Sequence, residues 1–230
     1  MSKQVVVITG AGSGLGASLA HRYSELGFHV CLIGRTESKL VETAQKLPNN
    51  SYSIHPLDVS SKEEVTKVFQ KIKNEVGAIN VLVNNAGTGV FDLAENLPED
   101  AVHNMIDINL KGTIFCTQEV IADMKQRNDG TIINVISTAG LEGKVTESVY
   151  CASKFGARGF TESLHVELKD TNIHVIGAYM GGMKTEFWNG IYDESETEGL
   201  MHPDDVADII MENVKPRRNL NVDQVVIKNH

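Results

Sequence analysis

The segment that most constrains the fold is a β-branched run that leads directly into a glycine-rich loop. Val5–Thr9 is continuous and rich in β-branched residues, as in a strand that is buried on both faces. Residues 10–16 include four glycines, and apolar residues then recur at helical spacing up to Leu26. Glycines let the main chain approach a ligand closely, and a helix N-terminus presents free N–H groups that suit a pyrophosphate. The pattern predicts a strand–loop–helix unit that binds a pyrophosphate, although a glycine run can also be only a tight turn.

Short apolar runs alternate with longer amphipathic segments along the rest of the chain. Predicted strands cover residues 5–9, 29–34, 51–57, 81–84, 131–136, 174–180 and 224–228. Predicted helices cover residues 15–26, 37–47, 61–76, 148–171 and 203–214, and Ser61 with Glu64 forms a capping-box pattern at the third. Residues 98–125 are predicted to be mostly helical. This alternation favours βαβ units. We therefore expect an α/β fold, a single doubly wound Rossmann-type domain over residues 1–230, with about seven parallel strands and helices on both faces.

The bulk properties argue against several classes of function. A chain of 230 residues suits one large domain, and its formal net charge of -9 lacks the basic footprint of a nucleic-acid binder. Cys31, Cys116 and Cys151 are widely spaced, which favours reduced thiols inside the cell. No apolar run approaches the roughly 20 residues that cross a bilayer, and no signal-peptide pattern is present. We expect a cytoplasmic protein with no membrane or nucleic-acid partner and, since the histidines lack ligand spacing, no metal.

Tyr150 and Lys154 form a Y-x-x-x-K pattern within the helix predicted over residues 148–171. Residues four apart lie on the same helix face, so the pattern sets a phenol beside an ammonium. The ammonium favours the phenolate and is expected to lower the pKa of the tyrosine, which then exchanges a proton near neutral pH. Ser137, thirteen residues before Tyr150, offers a second donor to the same substrate oxygen. On its own the pattern is weak, because such pairs are usually solvated.

Several further motifs occur in a fixed order along the chain. They are Gly10, Gly14 and Gly16 after Thr9, Asn84-Asn85-Ala86-Gly87 at the end of the fourth strand, Asn109, Ser137, and Tyr150-Cys151-Ala152-Ser153-Lys154. The whole set resembles the short-chain dehydrogenase/reductase family over essentially the whole chain. The resemblance implies an NAD(P)-dependent oxidoreductase that acts on C=O or CH–OH groups.

The resemblance also implies a role for each catalytic candidate. Tyr150 would be the general acid for carbonyl reduction and the base for alcohol oxidation. Lys154 would lower the pKa of Tyr150 and hold the nicotinamide ribose, and Ser137 would orient the substrate oxygen. Asn109 would hold a water that links Lys154 to solvent. Two alternatives stay open, since Asn109 can also stabilise a helix kink and Ser137 can cap a strand end.

The family motifs carry over a set of cofactor-binding candidates. The set is Gly10, Ser13, Gly14, Leu15, Gly16, Arg35, Asp58, Val59, Asn85, Ala86, Gly87, Tyr150, Lys154 and Thr185. Asp58 and Val59 resemble the pair that contacts the adenine ring, although Asp58 can also cap its own loop. Thr185 matches the residue that contacts the nicotinamide carboxamide. Met180 stands where a proline is usual, which leaves the rigidity of the nicotinamide pocket in doubt.

Arg35 decides the expected cofactor. An acidic residue at the end of the second strand would bind both ribose hydroxyls of NAD, but this chain has Gly34 and then Arg35. A guanidinium can pair with a 2′-phosphate through two charge-assisted hydrogen bonds. We therefore expect NADP(H) and the NADP-preferring subgroup, the alternative being that Arg35 only faces solvent. Ser13 occupies the loop region where some NADP-preferring members carry a basic residue.

The expected function is an NADPH-dependent carbonyl reductase that transfers hydride to a ketone or aldehyde, with Tyr150 as proton donor. Alternatives are an NAD-linked alcohol or sugar dehydrogenase, a dinucleotide-binding sensor, and, less favoured, a nucleotide-sugar epimerase. Specificity is expected in residues 88–97, 141–149 and a substrate loop over 186–202, where Phe187 and Trp188 favour a hydrophobic ketone or dock the loop. The sequence does not identify the small-molecule substrate. The family resemblance implies a homodimer or homotetramer built on the helix over 148–171 and the one before it.

Overall fold

Seven strands form one parallel sheet in the computed structural model, which describes residues 3–215 and 217–230. The strands are β1 Val5–Thr9, β2 His29–Gly34, β3 Tyr52–Pro56, β4 Ile79–Asn84, β5 Gly130–Ser137, β6 Ile173–Met180 and β7 Gln224–Ile227. Their order across the sheet is β3-β2-β1-β4-β5-β6-β7, and every neighbouring pair is parallel. The predicted Rossmann-type architecture is confirmed. The chain order reverses between β1 and β4, and a ligand crevice is expected at such a switch point.

The helices lie on both faces of this sheet. They are α1 Gly14–Glu25, α2 Glu37–Gln45, α3 Lys62–Glu75, α4 Glu99–Ile106, α5 Thr113–Arg127, α6 Ser148–Leu168 and α7 Pro203–Asn213. Half of the capping box is present, since the Ser61 hydroxyl accepts from the Glu64 N–H. The Glu64 carboxylate instead accepts from the N–H of Asp58 at 3.4 Å.

The alternation of side chains along β1 divides the core into two layers. Val6 and Ile8 pack with apolar residues of α1, α2 and α7, whereas Val5 and Val7 pack with those of α3, α5 and α6. Each fully buried side chain of this size contributes about 1.5–3 kcal/mol. Because both faces are covered, the strand is apolar throughout, as its sequence indicates.

The region predicted to be mostly helical, residues 98–125, contains two α-helices with an irregular helical segment between them. A π-helical segment, Asp107–Gly112, separates α4 from α5. Asn109 lies inside this segment, so its surroundings differ from those of a regular helix. The prediction that this region is mostly helical is confirmed, and the π segment within it is a feature that the sequence pattern did not indicate.

The predicted substrate loop, residues 186–202, leaves the carboxyl end of β6 and returns to it. It contains two 3-10 turns, Glu186–Trp188 and Glu194–Thr197. Its ends are joined where the Lys184 N–H donates to the carbonyl of Met201 at 2.9 Å and the Met201 N–H donates to that of Gly182 at 3.3 Å. The loop is therefore tied at its base beside the strand ends. Across the described residues, none of the helices has the length and apolar character to span a bilayer.

Candidate active site

A cleft of about 370 Å³ opens at the carboxyl ends of the central strands. Twelve of the predicted residues line it: Gly10, Ser13, Gly14, Leu15, Arg35, Asn85, Ala86, Gly87, Ser137, Tyr150, Lys154 and Thr185. Gly16, Asp58, Val59 and Asn109 do not line it. The fold thus brings the glycine loop and the Tyr150 region into one cleft, although more than a hundred residues separate them in sequence.

The glycine loop is fixed to the end of β4 by Thr9 and Asn85. The Thr9 hydroxyl accepts from the N–H groups of Asn85 and Ala86 at 2.9 and 3.0 Å, and the Asn85 amide donates to Gly10 O at 3.2 Å. A methyl group on Gly16 would overlap the carbonyl oxygen of Gly10 and lie 2.6 Å from the Asn85 amide nitrogen. Gly16 therefore contributes close packing under the loop and does not line the cleft.

The N-terminus of α1 faces the cleft with its N–H groups available. In the described structure, the Ser13 side chain forms no capping hydrogen bond, and the first turn contains no acidic residue. Uncapped N–H groups and the positive end of the helix dipole favour an anion. This end of the cleft fits a pyrophosphate, as the glycine loop predicts.

Tyr150 and Lys154 lie one helical turn apart on α6, with 9% and 5% of their surface exposed. Burial raises the pKa of the Tyr150 phenol, a hydrogen bond with Ser137 opposes that rise, and the Glu147 carboxylate adds to it. Burial lowers the pKa of the Lys154 ammonium to about 8. The expected lowering of the Tyr150 pKa is wrong for this chain, because desolvation of the phenolate is the largest influence and Lys154 is not among the groups that shift this pKa.

The Lys154 ammonium lies 5.7 Å from the centre of the Tyr150 ring and donates to the carbonyl of Val135 at 3.3 Å. Ser137 ends β5 on the opposite side, and its hydroxyl accepts from the Ala139 N–H at 3.1 Å. The capping role foreseen for Ser137 is thus present together with its hydrogen bond to the phenol. All three side chains line the cleft.

Asn109 supports the site from behind. Its amide oxygen accepts from the Thr88 N–H at 2.8 Å, and its amide nitrogen donates to Thr88 O at 2.9 Å and to the Ser153 hydroxyl at 3.0 Å. A methyl group on Gly87 would lie 3.4 Å from the Asn109 amide oxygen and 3.6 Å from the Lys154 ammonium. These contacts match the alternative in which Asn109 stabilises an irregular helix, and the proton-relay role stays a prediction.

Asp58 and Val59 take part in local packing. The Asp58 carboxylate accepts from the N–H and the hydroxyl of Ser60 at 3.0 and 2.7 Å, which is the loop-capping alternative. Val59 is buried against Gly112, where a methyl group would lie 2.7 Å from a Val59 methyl carbon. The adenine contact assigned to this pair stays a prediction.

Hydrogen bonds hold the segment in which Met180 replaces the usual proline. Met180 is buried and lines the cleft. The Gly181 N–H donates to Ile227 O at 2.9 Å, and the Asn229 amide donates to Gly182 O at 3.1 Å. Because β7 and the residues after it fix this segment, the missing proline does not leave it unsupported.

Two charged residues at the mouth of the cleft were missed in the sequence. Lys39, in the first turn of α2, lines the cleft together with Arg35, and it forms an ion pair with Glu186 of the substrate loop. Lys39 and Glu186 are about half exposed. A basic residue four positions after Arg35, near a helix N-terminus that ordinarily favours acidic residues, was the available signal.

The other end of the cleft has an aromatic wall. The rings of Phe91 and Phe187 lie 5.4 and 6.1 Å from that of Tyr150, centre to centre. Trp188 packs edge-on against Phe187 at 5.0 Å and stacks on Tyr192 at 4.9 Å. Phe91 lies in the predicted specificity segment 88–97 but was not singled out. The wall encloses the space next to the phenol, where a substrate would bind.

The comparisons with known proteins agree with this geometry. A family model described as short chain dehydrogenase matches residues 4–196. An uncharacterised oxidoreductase of Staphylococcus saprophyticus is 33% identical over 231 residues, covering 99% of this chain and 98% of that protein. One from Staphylococcus aureus strain N315 is 29% identical over 228 residues, with coverage of 99% and 98%.

Solved structures extend the comparison to proteins with bound nucleotides. An alcohol dehydrogenase of the archaeon Thermococcus sibiricus, complexed with 5-hydroxy-NADP, superposes with a TM-score of 0.89 at 25% identity, covering 98% of this chain and 96% of that one. A serine dehydrogenase complexed with NADP+ has a TM-score of 0.89 at 29% identity and coverage of 97% and 94%.

Proposed function

The chain belongs to the short-chain dehydrogenase family, and from that premise we propose that it is an NADPH-dependent carbonyl reductase for a ketone or an aldehyde. It is an NAD(P)-dependent oxidoreductase, and NADP(H) is its cofactor. The observation that carries the finer proposal is the shared cleft, in which Ser137, Tyr150 and Lys154 lie beside a glycine loop and two cationic side chains. Reduction is the direction that a protonated Tyr150 favours.

The residues present fit the cofactor. The uncapped N-terminus of α1 and the glycine loop would hold the pyrophosphate, and Arg35 with Lys39 would hold a 2′-phosphate. Lys154 would hold the nicotinamide ribose and Thr185 the carboxamide. When bound, the nicotinamide supplies the hydride that adds to the carbonyl carbon.

Tyr150 and Ser137 act on the carbonyl oxygen. Because burial raises its pKa, the Tyr150 phenol stays protonated at neutral pH and can donate its proton to that oxygen. Ser137 offers a second hydrogen bond to the same oxygen and thereby orients the substrate. Lys154, with a pKa of about 8, is the group of the trio that exchanges a proton near neutral pH. In this proposal Lys154 supplies the proton that returns to Tyr150 after each turnover.

Replacing Tyr150 with phenylalanine tests this assignment. NADPH oxidation would be followed over a panel of ketones, diketones, aldehydes, quinones and 3-oxoacyl thioesters. Tyr150→Phe is expected to lower kcat by about 10²-fold or more, with NADPH still bound, since positioned proton transfer contributes about 10²–10⁴-fold. Tyr52→Phe removes a hydroxyl from β3, away from the cleft, and serves as the matched control. Unchanged turnover by Tyr150→Phe on every accepted substrate would refute the mechanism.

The same measurements separate the alternatives. An NAD-linked dehydrogenase would show kcat/KM with NADH equal to or above that with NADPH. A dinucleotide-binding sensor would bind NADPH without oxidising it on any member of the panel.

We further propose that the chain is one domain, acts in the cytoplasm and assembles as a homodimer or homotetramer. The support for assembly is that α6 presents Phe155 and Val166 to solvent, the latter 69% exposed. Sedimentation of the purified protein tests this, and a monomer at micromolar concentration would contradict it.

A further inference from the structure

The loop between β5 and α6 carries a lysine into the substrate end of the cleft. Lys144 is partly buried and lines the same cleft as Ser137 and Tyr150. Its ammonium donates to the hydroxyl of Thr138, the residue after Ser137, at 3.0 Å. Among the described residues, no carboxylate lies within 4 Å of this ammonium. An ammonium has three N–H donors, and a neutral hydroxyl leaves its charge unbalanced.

Glu147 is the acidic residue that most directly faces Lys144, and the two form no ion pair. Burial raises the pKa of the Glu147 carboxyl, and the Lys144 ammonium acts against that rise. The interaction therefore acts across a gap rather than through a direct contact. Glu147 lines the same cleft, and because it forms no ion pair with Lys144, the ammonium keeps N–H donors for a ligand.

The main chain of the loop between β5 and α6 has a strained conformation at one residue. Thr146 has φ 64, a left-handed conformation that is rare for a β-branched residue and costs about 1–3 kcal/mol. Its carbonyl accepts from the Asp92 N–H at 3.0 Å, which joins this loop to the segment that carries Phe91.

We propose that Lys144 binds a carboxylate of the substrate, so that the carbonyl compounds reduced by this protein are oxo acids. The proposal rests on the carbonyl-reductase function and adds the substrate class. The carbonyl lies between Ser137 and Tyr150, the aromatic wall contacts the carbon chain, and the carboxylate pairs with the ammonium. In the balanced reaction, an oxo acid, NADPH and a proton give a hydroxy acid and NADP+, and the carboxylate is unchanged.

Matched pairs of substrates test the charge directly. The probes are oxo acids with the carbonyl two, three or four carbons along the chain, each compared with its methyl ester, for example 4-oxopentanoate and methyl 4-oxopentanoate. The wild type is expected to favour at least one acid over its ester in kcat/KM by about tenfold or more, since hydrogen bonds to charged groups are worth about 1.5–3 kcal/mol.

Substitutions then assign the preference to the ammonium. Lys144→Met is expected to lower the acid-to-ester ratio about tenfold, and Lys144→Arg to preserve most of it. Thr138→Val removes the hydrogen bond but keeps the charge, so it separates charge recognition from support of the loop. Lys125→Met, on the exposed face of α5, makes the same change in net charge away from the cleft. Equal ratios in the wild type and Lys144→Met would overturn the proposal while leaving the reductase function intact.

A binding experiment keeps the proposal testable even if no substrate turns over. Trp188, the single tryptophan, lies in the aromatic wall and reports on the cleft by fluorescence. With NADP+ present, butanoate is expected to bind at least about fivefold more tightly than butanamide, and Lys144→Met to remove the difference. Neither compound has a ketone or aldehyde to reduce, so the result is independent of turnover. Equal affinities in the wild type would overturn carboxylate recognition.

Discussion

Replacing Lys39 with methionine separates the 2′-phosphate contribution from the rest of cofactor binding. Lys39 lines the mouth of the cleft with Arg35, and its stem packs under the glycine loop, where a methyl group on Gly12 would lie 2.9 Å from the Lys39 Cβ. Methionine keeps most of this packing and removes the charge. Because NADPH and NADH differ only in the 2′-phosphate, the substitution is expected to weaken binding of NADPH and leave that of NADH unchanged.

The size of the effect follows from the exposure of the charges. Two unit charges 4 Å apart in water interact by about 1 kcal/mol, and a phosphate monoester carries a charge of about -1.5 to -2. The 2′-phosphate must also displace Glu186 from Lys39, and the loss of an exposed ion pair of this kind reduces the favourable binding free energy by about 0.2–1 kcal/mol. The net loss is about 1 kcal/mol, which corresponds to about a fivefold rise in the Kd of NADPH. Glu186→Gln removes the carboxylate that competes with the 2′-phosphate for Lys39, and it is expected to lower the Kd of NADPH about twofold.

Affinities would be measured by the quenching of Trp188 fluorescence at two salt concentrations. The difference in NADPH affinity between the wild type and Lys39→Met should be smaller at high salt, because exposed charges are screened. Lys46→Met, in the residue after α2, is the matched control, since it makes the same charge change away from the cleft. An equal loss for NADPH and NADH would show that Lys39 acts through packing, and no loss for either would refute its assignment to the phosphate.

Three other predictions follow from the contacts around the site. Lys154→Met is expected to raise the unfolding free energy at pH 7 by up to about 3 kcal/mol, because the folded chain lowers the pKa of the ammonium from 10.5 to about 8. This gain in stability should shrink as the pH rises from 8 to 10.5, because the wild-type lysine loses its charge over that range. Urea denaturation of both proteins at pH 7 and at pH 10 measures the difference. Gly16→Ala should destabilise the loop and abolish NADPH binding, as measured by titration with the cofactor. Gly159→Ala is the matched control on an open helix surface, and it should stabilise α6 by about 0.5–1 kcal/mol. Asn109→Ala should cost about 2–4 kcal/mol in chemical denaturation, because it leaves the Thr88 N–H and carbonyl without partners and removes the amide that donates to the Ser153 hydroxyl. A loss under about 0.5 kcal/mol would contradict its supporting role.

Much of the fold can be predicted from the sequence, because the patterns that indicate strands and helices involve residues close together along the chain. The bounds of β1 and β2 are as predicted, since continuous apolar runs end at glycine or at the glycine loop. The cleft likewise gathers the glycine loop, Ser137, Tyr150 and Lys154, whose spacing along strands and helices determines their positions. Motif order was enough to place these residues at the same edge of the sheet, where parallel strands end.

The sequence by itself determined most of the elements, their order and most of the residues that line the candidate site, because these depend on neighbours a few positions apart. Tertiary structure decided the rest. The π segment around Asn109 depends on contacts with Thr88 and Ser153, and the pairing of Lys39 with Glu186 joins residues 147 positions apart. The pKa of Tyr150 rises rather than falls because burial, which depends on the whole fold, is the largest influence on the phenol.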